Sequence, residues 1–313
     1  MPKQDAITLL KADHASVKKL FAQEQNATKD ADKKQNIFNR IKDALTVHAT
    51  IEEEIFYPAV KKARSEHVKD EVREAYEEHK QIKALLAQIA GITPADETWD
   101  MKVKVLREDI EHHVKDEEGE MFPDARKSLG EKRLMELGTE LDARKQYLEE
   151  IKNINPIDIV YSDETGIDDN EVPIKGWAPI GQRFFAKKRG IRKTRYNITA
   201  ALNQGKLFAP FIFEGYSNVS VYETYVEQVL VPNLKSGMVV IIDNARFHKS
   251  AKVIQLIESA KCRVIFLPPY SPDLNPIEHF WSAMKTNIRR AAEVIHDFYD
   301  AAVKTVGDMC LAY

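Results

Sequence analysis

The sequence repeats itself at an interval of 65 residues. "DHASVKKLFAQ" (13–23) aligns with "EHKQIKALLAQ" (78–88), and "HATIEEEIFYP" (48–58) aligns with "HVKDEEGEMFP" (113–123). His14 meets His79, His48 meets His113, Glu52 meets Glu117, and Pro58 meets Pro123. Within each copy the two histidines stand 34 residues apart. That leaves room for two helices of roughly fifteen residues and a turn. Ile7, Leu10, Val17, Leu20 and Phe21 recur at helical intervals, as do Ile82, Leu85, Leu86 and Ile89. A duplicated helical hairpin predicts an all-α, up-down-up-down four-helix bundle. "GITPADETW" (91–99), with breakers Gly91 and Pro94, is the expected loop between the hairpins.

The repeat also sorts the polar residues. His48 and Glu52 are four apart, as are His113 and Glu117, so each pair shares one helix face. Each hairpin thus offers a lone histidine on its first helix and a His/Glu pair on its second. An isolated His-x-x-x-Glu is an ordinary surface pair. Six such residues in register point instead to a metal site: His14, His48, Glu52, His79, His113 and Glu117. Nitrogen and oxygen donors of this kind suit first-row metals, and carboxylates can bridge two ions. His112 aligns with Val47 and is read as a non-ligand. Glu53, Glu54, Asp116, Glu118 and Glu120 are expected to be solvated or to support the ligands from behind.

These residues resemble the hemerythrin-like, HHE-type cation-binding family over about residues 5–148. The resemblance implies two non-haem irons. His14 and His48 would serve one iron, His79 and His113 the other, with Glu52 and Glu117 bridging. Oxygen-carrying members have a further histidine one turn from the third-helix ligand; here those positions hold Ala75 and Lys83. One iron is therefore expected to be open or water-bound. Oxygen (O2) or redox sensing, iron handling and peroxide chemistry then rank beside oxygen carriage.

Texture and charge both change near residue 150. Residues 1–150 carry 26 Lys and Arg against 32 Asp and Glu, and the remainder 20 against 17. Long stretches of helix formers give way to short β-branched and aromatic runs broken by Gly, Pro and Asn. Two domains are expected, 1–148 and 149–313, joined by a helix in "LDARKQYLEEIKNINPID" (141–158) that ends before Pro156. The second half reads as α/β with a mixed sheet. "DIVYS" (158–162), "RYNITAAL" (195–202), "LFAPFIFEG" (207–215), "MVVIIDNA" (238–245) and "CRVIFLP" (262–268) are its strands. Asp163 and Asp243 are placed at strand ends and Glu278 on a later helix. Three such carboxylates repel one another unless cations lie between them, and open oxygen sites suit Mg²⁺ or Mn²⁺. A pair of such ions serves in-line attack on a phosphodiester.

"YSDETG", "GWAPIGQRF", "IIDNARFHKS" and "LPPYSPDLNPIEHFWSAMK" resemble the DDE-type transposase catalytic domain of the mariner-like insertion-sequence superfamily, over about residues 155–313. The resemblance implies an RNase H-like fold, divalent metal, and DNA strand cleavage and transfer, with Asp163, Asp243 and Glu278 as the catalytic acids. Glu164, Asn244 and His248 receive supporting roles. Lys187, Lys188, Arg189, Arg192, Lys193 and Arg195 form a basic cluster fit for double-stranded DNA.

Full transposases of this kind place helix-turn-helix modules before the catalytic domain, where this chain has an acidic bundle. A separate polypeptide would then supply DNA-end recognition, and a homodimer is compatible with this reading. The competing reading is an oxygen- or redox-sensing or iron-binding protein whose second half is an inactive insertion remnant. Cys262 and Cys310 make no disulfide framework or zinc motif. No apolar run reaches signal-peptide or membrane length, so a cytoplasmic location without membrane contact is expected.

Overall fold

The computed structural model describes residues 4–27, 30–62, 66–169, 179–181, 183, 194–269 and 271–311. The chain divides into two compact units, Met1–Lys152 and Asn153–Tyr313. Among the described residues, no helix is long and apolar enough to cross a membrane.

The first unit is the expected helical bundle. Helix α1 (Ala6–Asn26) starts where Asp5 accepts from the Thr8 N–H, and α2 (Ala31–Ile51) where Asp30 accepts from that of Lys33. These caps satisfy donors that the first turn leaves free. α2 runs on through a π-helical turn, Glu52–Phe56, into α3 (Tyr57–Lys61). The second copy repeats this design. α4 (Glu66–Ala90) is followed by α5 (Trp99–Asp116), a π-helical turn at Glu117–Met121, and α6 (Phe122–Ile151). The N–H groups of Tyr57 and Phe122 bond the carbonyls of Glu52 and Glu117, five residues back. Pro58 and Pro123 come next in the chain. A proline ring clashes with the carbonyl four residues back, and the wider π turn relieves that crowding.

The bundle interior has three layers. One apolar cluster contains Leu10, Ile51, Phe56, Ala75, Met121 and Phe122. A second contains Val17, Leu45, Ile82, Leu86 and Ile110. His14, His48, His79 and His113 fall between members of the two clusters on their own helices. The polar residues therefore occupy one layer across the middle of the core.

The second unit is built on one five-stranded sheet in the order β3-β2-β1-β4-β5. β1 (Ile159–Asp168), β2 (Arg195–Asn203) and β3 (Lys206–Glu214) form an antiparallel meander. β4 (Val239–Ile242) lies parallel to β1, and β5 (Arg263–Phe266) parallel to β4. This is the RNase H-like mixed sheet expected from the resemblance. α7 (Val219–Tyr225) and α8 (Ala251–Ser259) contribute to the core that contains Val160. α9 (Ile277–Ala291) and α10 (Phe298–Leu311) contribute to the core that contains Ile167. Side chains alternate along a strand, so these cores cover opposite faces of β1. Asp163 does not end its strand: β1 continues five residues beyond it, because β2 pairs with it through Asp168. What ends before Asp163 is the parallel pairing with β4, whose last rung is Ser162 with Ile242.

Gly138 of α6 gives a sharp test of packing in the first unit. A Cβ there would stand 2.1 Å from the Gln4 carbonyl oxygen and 2.9 Å from the Ala6 nitrogen, where α1 begins. Gly138→Ala should cost about 1–3 kcal/mol despite the better helix propensity of alanine. Gly119→Ala, which meets nothing within 4 Å, should range from neutral to about 1 kcal/mol stabilising. Thermal unfolding of the two variants checks the contrast.

Candidate metal centres

The structure brings His14, His48, Glu52, His79, His113 and Glu117 together in the middle layer of the bundle, all of them buried. The histidines meet in two pairs. Nε2 of His14 is 3.1 Å from Nε2 of His48, and Nε2 of His79 is 3.1 Å from Nε2 of His113. Glu52 Oε2 lies 3.2 Å from His48 Nε2 and 3.5 Å from His79 Nε2. Glu117 Oε2 lies 3.2 Å from His14 Nε2 and 3.5 Å from His113 Nε2. Each carboxylate thus touches one histidine of each pair. Ligand atoms of His14, His48, Glu52 and Glu117 fall within 4.8 Å of one another, as do those of Glu52, His79 and His113. The four histidines line a cavity of about 20 Å³, close to the volume of one water-sized probe.

The donor set fits cations. On the outer side of three rings, Nδ1 lies within hydrogen-bond distance of a carboxylate: Glu118 for His14, Glu53 for His79 and Glu78 for His113. A carboxylate only accepts, so Nδ1 carries a proton and Nε2 is the nitrogen left facing the layer. Glu52 Oε1 and Glu117 Oε2 are buried without a hydrogen-bond partner. Burial, reinforced by the charge of Glu117, pushes the Glu52 carboxyl well above its usual range. Burial also holds His79 down, to about 4, with the charge of His113 adding to it. Imidazole nitrogens this close, beside orphaned carboxylate oxygens, mark a site that positive charge must complete, whether protons or bound cations supply it.

Several residues escaped sequence reasoning. Asp13 and Glu78 immediately precede His14 and His79, and they align in the repeat; that was the available signal. Tyr57 is buried, and its hydroxyl donates to Glu117 Oε1 at 2.7 Å. Glu54 pairs with the buried Arg144 of α6. His112 stays exposed, and Asp116 lies beside it at 3.1 Å. Ala75 packs in the core, while Lys83 reaches Glu53 at 2.6 Å. Glu120 stands near His67 and Glu71.

In the second unit, Asp163, Asp243 and Glu278 line one cleft of about 480 Å³, with Asn244, Ser271 and Asn275. The parallel register places Asp163 and Asp243 side by side just past its last rung. Glu278 enters from the first turn of α9, where the helix dipole favours a negative charge. Among the described residues, these three acids do not form a group whose ligand atoms all lie within 4.8 Å, as the bundle residues do. Trp281 Nε1 donates to Asp163 Oδ2 at 3.1 Å. Burial, with the charges of Glu164 and Glu278 adding to it, raises Asp163 to about 7. Asp163 and Glu164 point to opposite faces of β1. The buried His248 joins the two sides, with Nδ1 bonded to Asp243 and Nε2 3.0 Å from Glu164 Oε2. Burial opposes its charge, but the bonds to Asp243 and Glu164 outweigh it and raise His248 to about 9. Asn275 Oδ1 is buried without a hydrogen-bond partner. A raised carboxyl and an orphaned amide oxygen in one acidic cleft fit a hard divalent cation.

Of the basic cluster, Lys187, Lys188, Arg189, Arg192 and Lys193 lie outside the described residues. Arg195 opens β2, 3.5 Å from Asp168 and with its guanidinium carbon 5.4 Å from the Tyr216 ring centre.

Residues 5–125 match the family model of the Hemerythrin HHE cation binding domain. Residues 158–298 match that of the DDE superfamily endonuclease. The chain thus carries a segment similar to the hemerythrin HHE domain, followed by one similar to the DDE superfamily endonucleases. The DDE portion is 32% identical over 142 residues to a DNA nickase of Nostoc sp., covering 45% of this chain and 39% of that protein. It is 26% identical over 134 residues to the insertion element IS630 uncharacterized 39 kDa protein of Shigella sonnei, covering 42% and 39%. The chain thus spans about two fifths of the length of these curated relatives. A solved Hemerythrin HHE cation binding domain-containing protein from Mycobacterium kansasii is 20% identical, with a TM-score of 0.43 over 48% of this chain and 94% of that one.

The raised carboxyl of Asp163 makes a signed prediction for the DDE domain. Its folded pKa is about 7 against an ordinary 3.8. Between those values the folded state keeps a proton that the unfolded state has released. Cation-free stability should fall as pH rises through that window, by up to about 4 kcal/mol. Mg²⁺ or Mn²⁺ competes with that proton and should raise the domain's unfolding temperature more at pH 8 than at pH 5.5. Asp163→Asn should remove both effects, as read by calorimetry.

Proposed function

We propose that the DDE domain is a metal-dependent transposase catalytic domain that cleaves and transfers DNA strands. The observation that carries this reading is the convergence of Asp163, Asp243 and Glu278 on one cleft from three separate elements. These acids would hold a pair of Mg²⁺ or Mn²⁺ ions, which would activate the attacking hydroxyl and stabilise the leaving oxygen. Trp281 fixes the Asp163 carboxylate at the cleft through Oδ2. His248, as an imidazolium, neutralises Glu164 and orients Asp243 from behind. Asn275 adds an unpaired oxygen at the cleft wall. The basic cluster of Lys187, Lys188, Arg189, Arg192, Lys193 and Arg195 is assigned to the backbone phosphates of double-stranded DNA. A separate protein would read the DNA ends.

For the HHE domain the proposed ligand is a pair of non-haem irons. His14 and His48 would hold one, His79 and His113 the other, and Glu52 and Glu117 would bridge. Bound iron would supply redox chemistry toward O2 or a related oxidant. The chain's own part is to fix four inward Nε2 atoms and two carboxylates in a layer closed above and below by apolar side chains. The boundary expected at 148/149 falls inside α6, and the compact units divide after Lys152, so the domain boundary is proposed there.

Two measurements test these assignments. Purified chain should nick or transfer labelled DNA with Mg²⁺ or Mn²⁺, and Asp243→Asn should fall to background. Equal activity of the two proteins, or none in either, would overturn the nuclease reading. Metal analysis after expression with iron should give about two irons per chain, with loss of both in a His48→Ala, His113→Ala double variant. A bundle that stays metal-free would overturn the iron reading.

A further inference from the structure

The outer side of the histidine layer is as ordered as its inner side. His14 Nδ1 meets Glu118 Oε1 at 2.9 Å, His79 Nδ1 meets Glu53 Oε1 at 2.9 Å, and His113 Nδ1 meets Glu78 Oε2 at 2.7 Å. His48 Nδ1 faces Asp13 Oδ2 at the longer distance of 3.6 Å. The arrangement follows the repeat. Asp13 and Glu78 reach the second-helix histidine of their own hairpin. Glu53 and Glu118 cross to the lone histidine of the other hairpin.

Glu53 and Glu118 both lie in the π-helical turns. Each turn begins with two consecutive glutamates, Glu52-Glu53 and Glu117-Glu118. The first side chain of each pair points into the layer, and the second closes on the back of a ring from the neighbouring hairpin. Lone histidines His14 and His79 have no carboxylate four residues along their own helix; those positions hold Lys18 and Lys83. Among the described residues, the carboxylate at each of their Nδ1 atoms comes from across the bundle. Cations back these acids in turn. Lys83 Nζ is 2.6 Å from Glu53 Oε1, and Lys11 Nζ is 3.6 Å from Glu118 Oε2.

We propose that Glu53 and Glu118 are positioning residues that clamp His79 and His14 across the hairpins, holding Nδ1 protonated so that Nε2 stays a cation donor. This rests on the reading of the layer as a two-cation centre. A hydrogen bond behind a ligating imidazole fixes its tautomer and raises its basicity. Because the clamps cross between hairpins, each proposed cation position depends on both copies of the repeat, even though its two histidines come from one.

The test uses the full chain, stripped of metal and titrated with Zn²⁺ or Co²⁺ against a competing chelator. Wild type should take up two ions per chain. Glu53→Ala and Glu118→Ala should each weaken one site about 10- to 100-fold and change the Co²⁺ absorption of that site. Glu53→Gln and Glu118→Gln keep an oxygen that accepts the Nδ1 proton, and they should retain most of the affinity. In the Zn²⁺-loaded protein, the imidazole Nδ1–H resonances of His79 and His14 should be protected from exchange in wild type and lost in the respective alanine variants. Glu111→Ala, an exposed carboxylate elsewhere on α5, should behave as wild type. If wild type loads two ions and the alanine variants load them equally tightly with unchanged Nδ1–H signals, the clamp is overturned while the two-cation reading stands. If wild type loads no ion, the two-cation reading falls and the clamp with it.

Discussion

Two pairs of imidazole nitrogens face each other at 3.1 Å in the middle of the bundle, with a buried carboxylate beside each of their four members. Two apolar clusters of the first unit pack on either side of that layer. Burying six polar side chains is costly unless charge and hydrogen bonding are matched inside. The surrounding sequence concentrates the cost in one plane and packs apolar side chains on both sides of it. It also spends two π-helical turns, one per repeat, to aim consecutive glutamates at different parts of the same layer. A helix of ordinary pitch would rotate the second glutamate about 100° from the first. In the π turns both glutamates of each pair contact the histidine layer.

The DDE domain solves a different electrostatic problem with a different device. Its acids are oxygen donors in an open cleft, without the close mutual contacts of the bundle residues. Sheet register, not helix periodicity, brings the first two together, since parallel pairing stops one residue before each aspartate. The burial that raises Asp163 and the imidazolium that steadies Asp243 act in opposite directions on neighbouring carboxylates. One is primed to exchange a proton for a cation, and the other is kept ionised near neutrality. Open oxygen donors suit hard ions that keep some of their water, whereas a closed set of imidazoles and carboxylates suits first-row metals. On the proposed reading, the two sites would not compete for the same ion.

The repeat made the bundle readable because helical spacing and alignment reinforce each other. It singled out six residues that the structure draws into one layer, and it set His112 apart from His113. The supporting shell was less legible. Asp13 and Glu78 were aligned in the two copies, but a carboxylate beside a histidine is too common to stand out without a partner in space. The π turns were hidden because period counting assumes one pitch, although the paired prolines marked where the pitch had to change. In the second half, the strands and acids could be placed from local patterns. The extension of β1 past Asp163 could not, since it depends on pairing with β2, more than twenty residues away in sequence. The link from Glu164 through His248 to Asp243 was equally hidden, because it joins both faces of the sheet.

The duplication also shows where symmetry stops. Tyr57 and Phe122 occupy equivalent positions in the repeat, each just after a π turn. Phe122 stacks nearly parallel on His14, with ring centres 5.8 Å apart and planes at 5°. Tyr57 tilts against His79, and its hydroxyl reaches Glu117 at 2.7 Å and His79 Nε2 at 3.4 Å. The two histidine pairs therefore have matching donors but unequal surroundings. On one side the ring is sealed by a hydrocarbon face. On the other, a buried hydroxyl can give or withhold a hydrogen bond at the carboxylate that both sides share. Phe122 offers no counterpart to that hydroxyl, so a duplicated scaffold with symmetric donors still presents two chemically distinct positions.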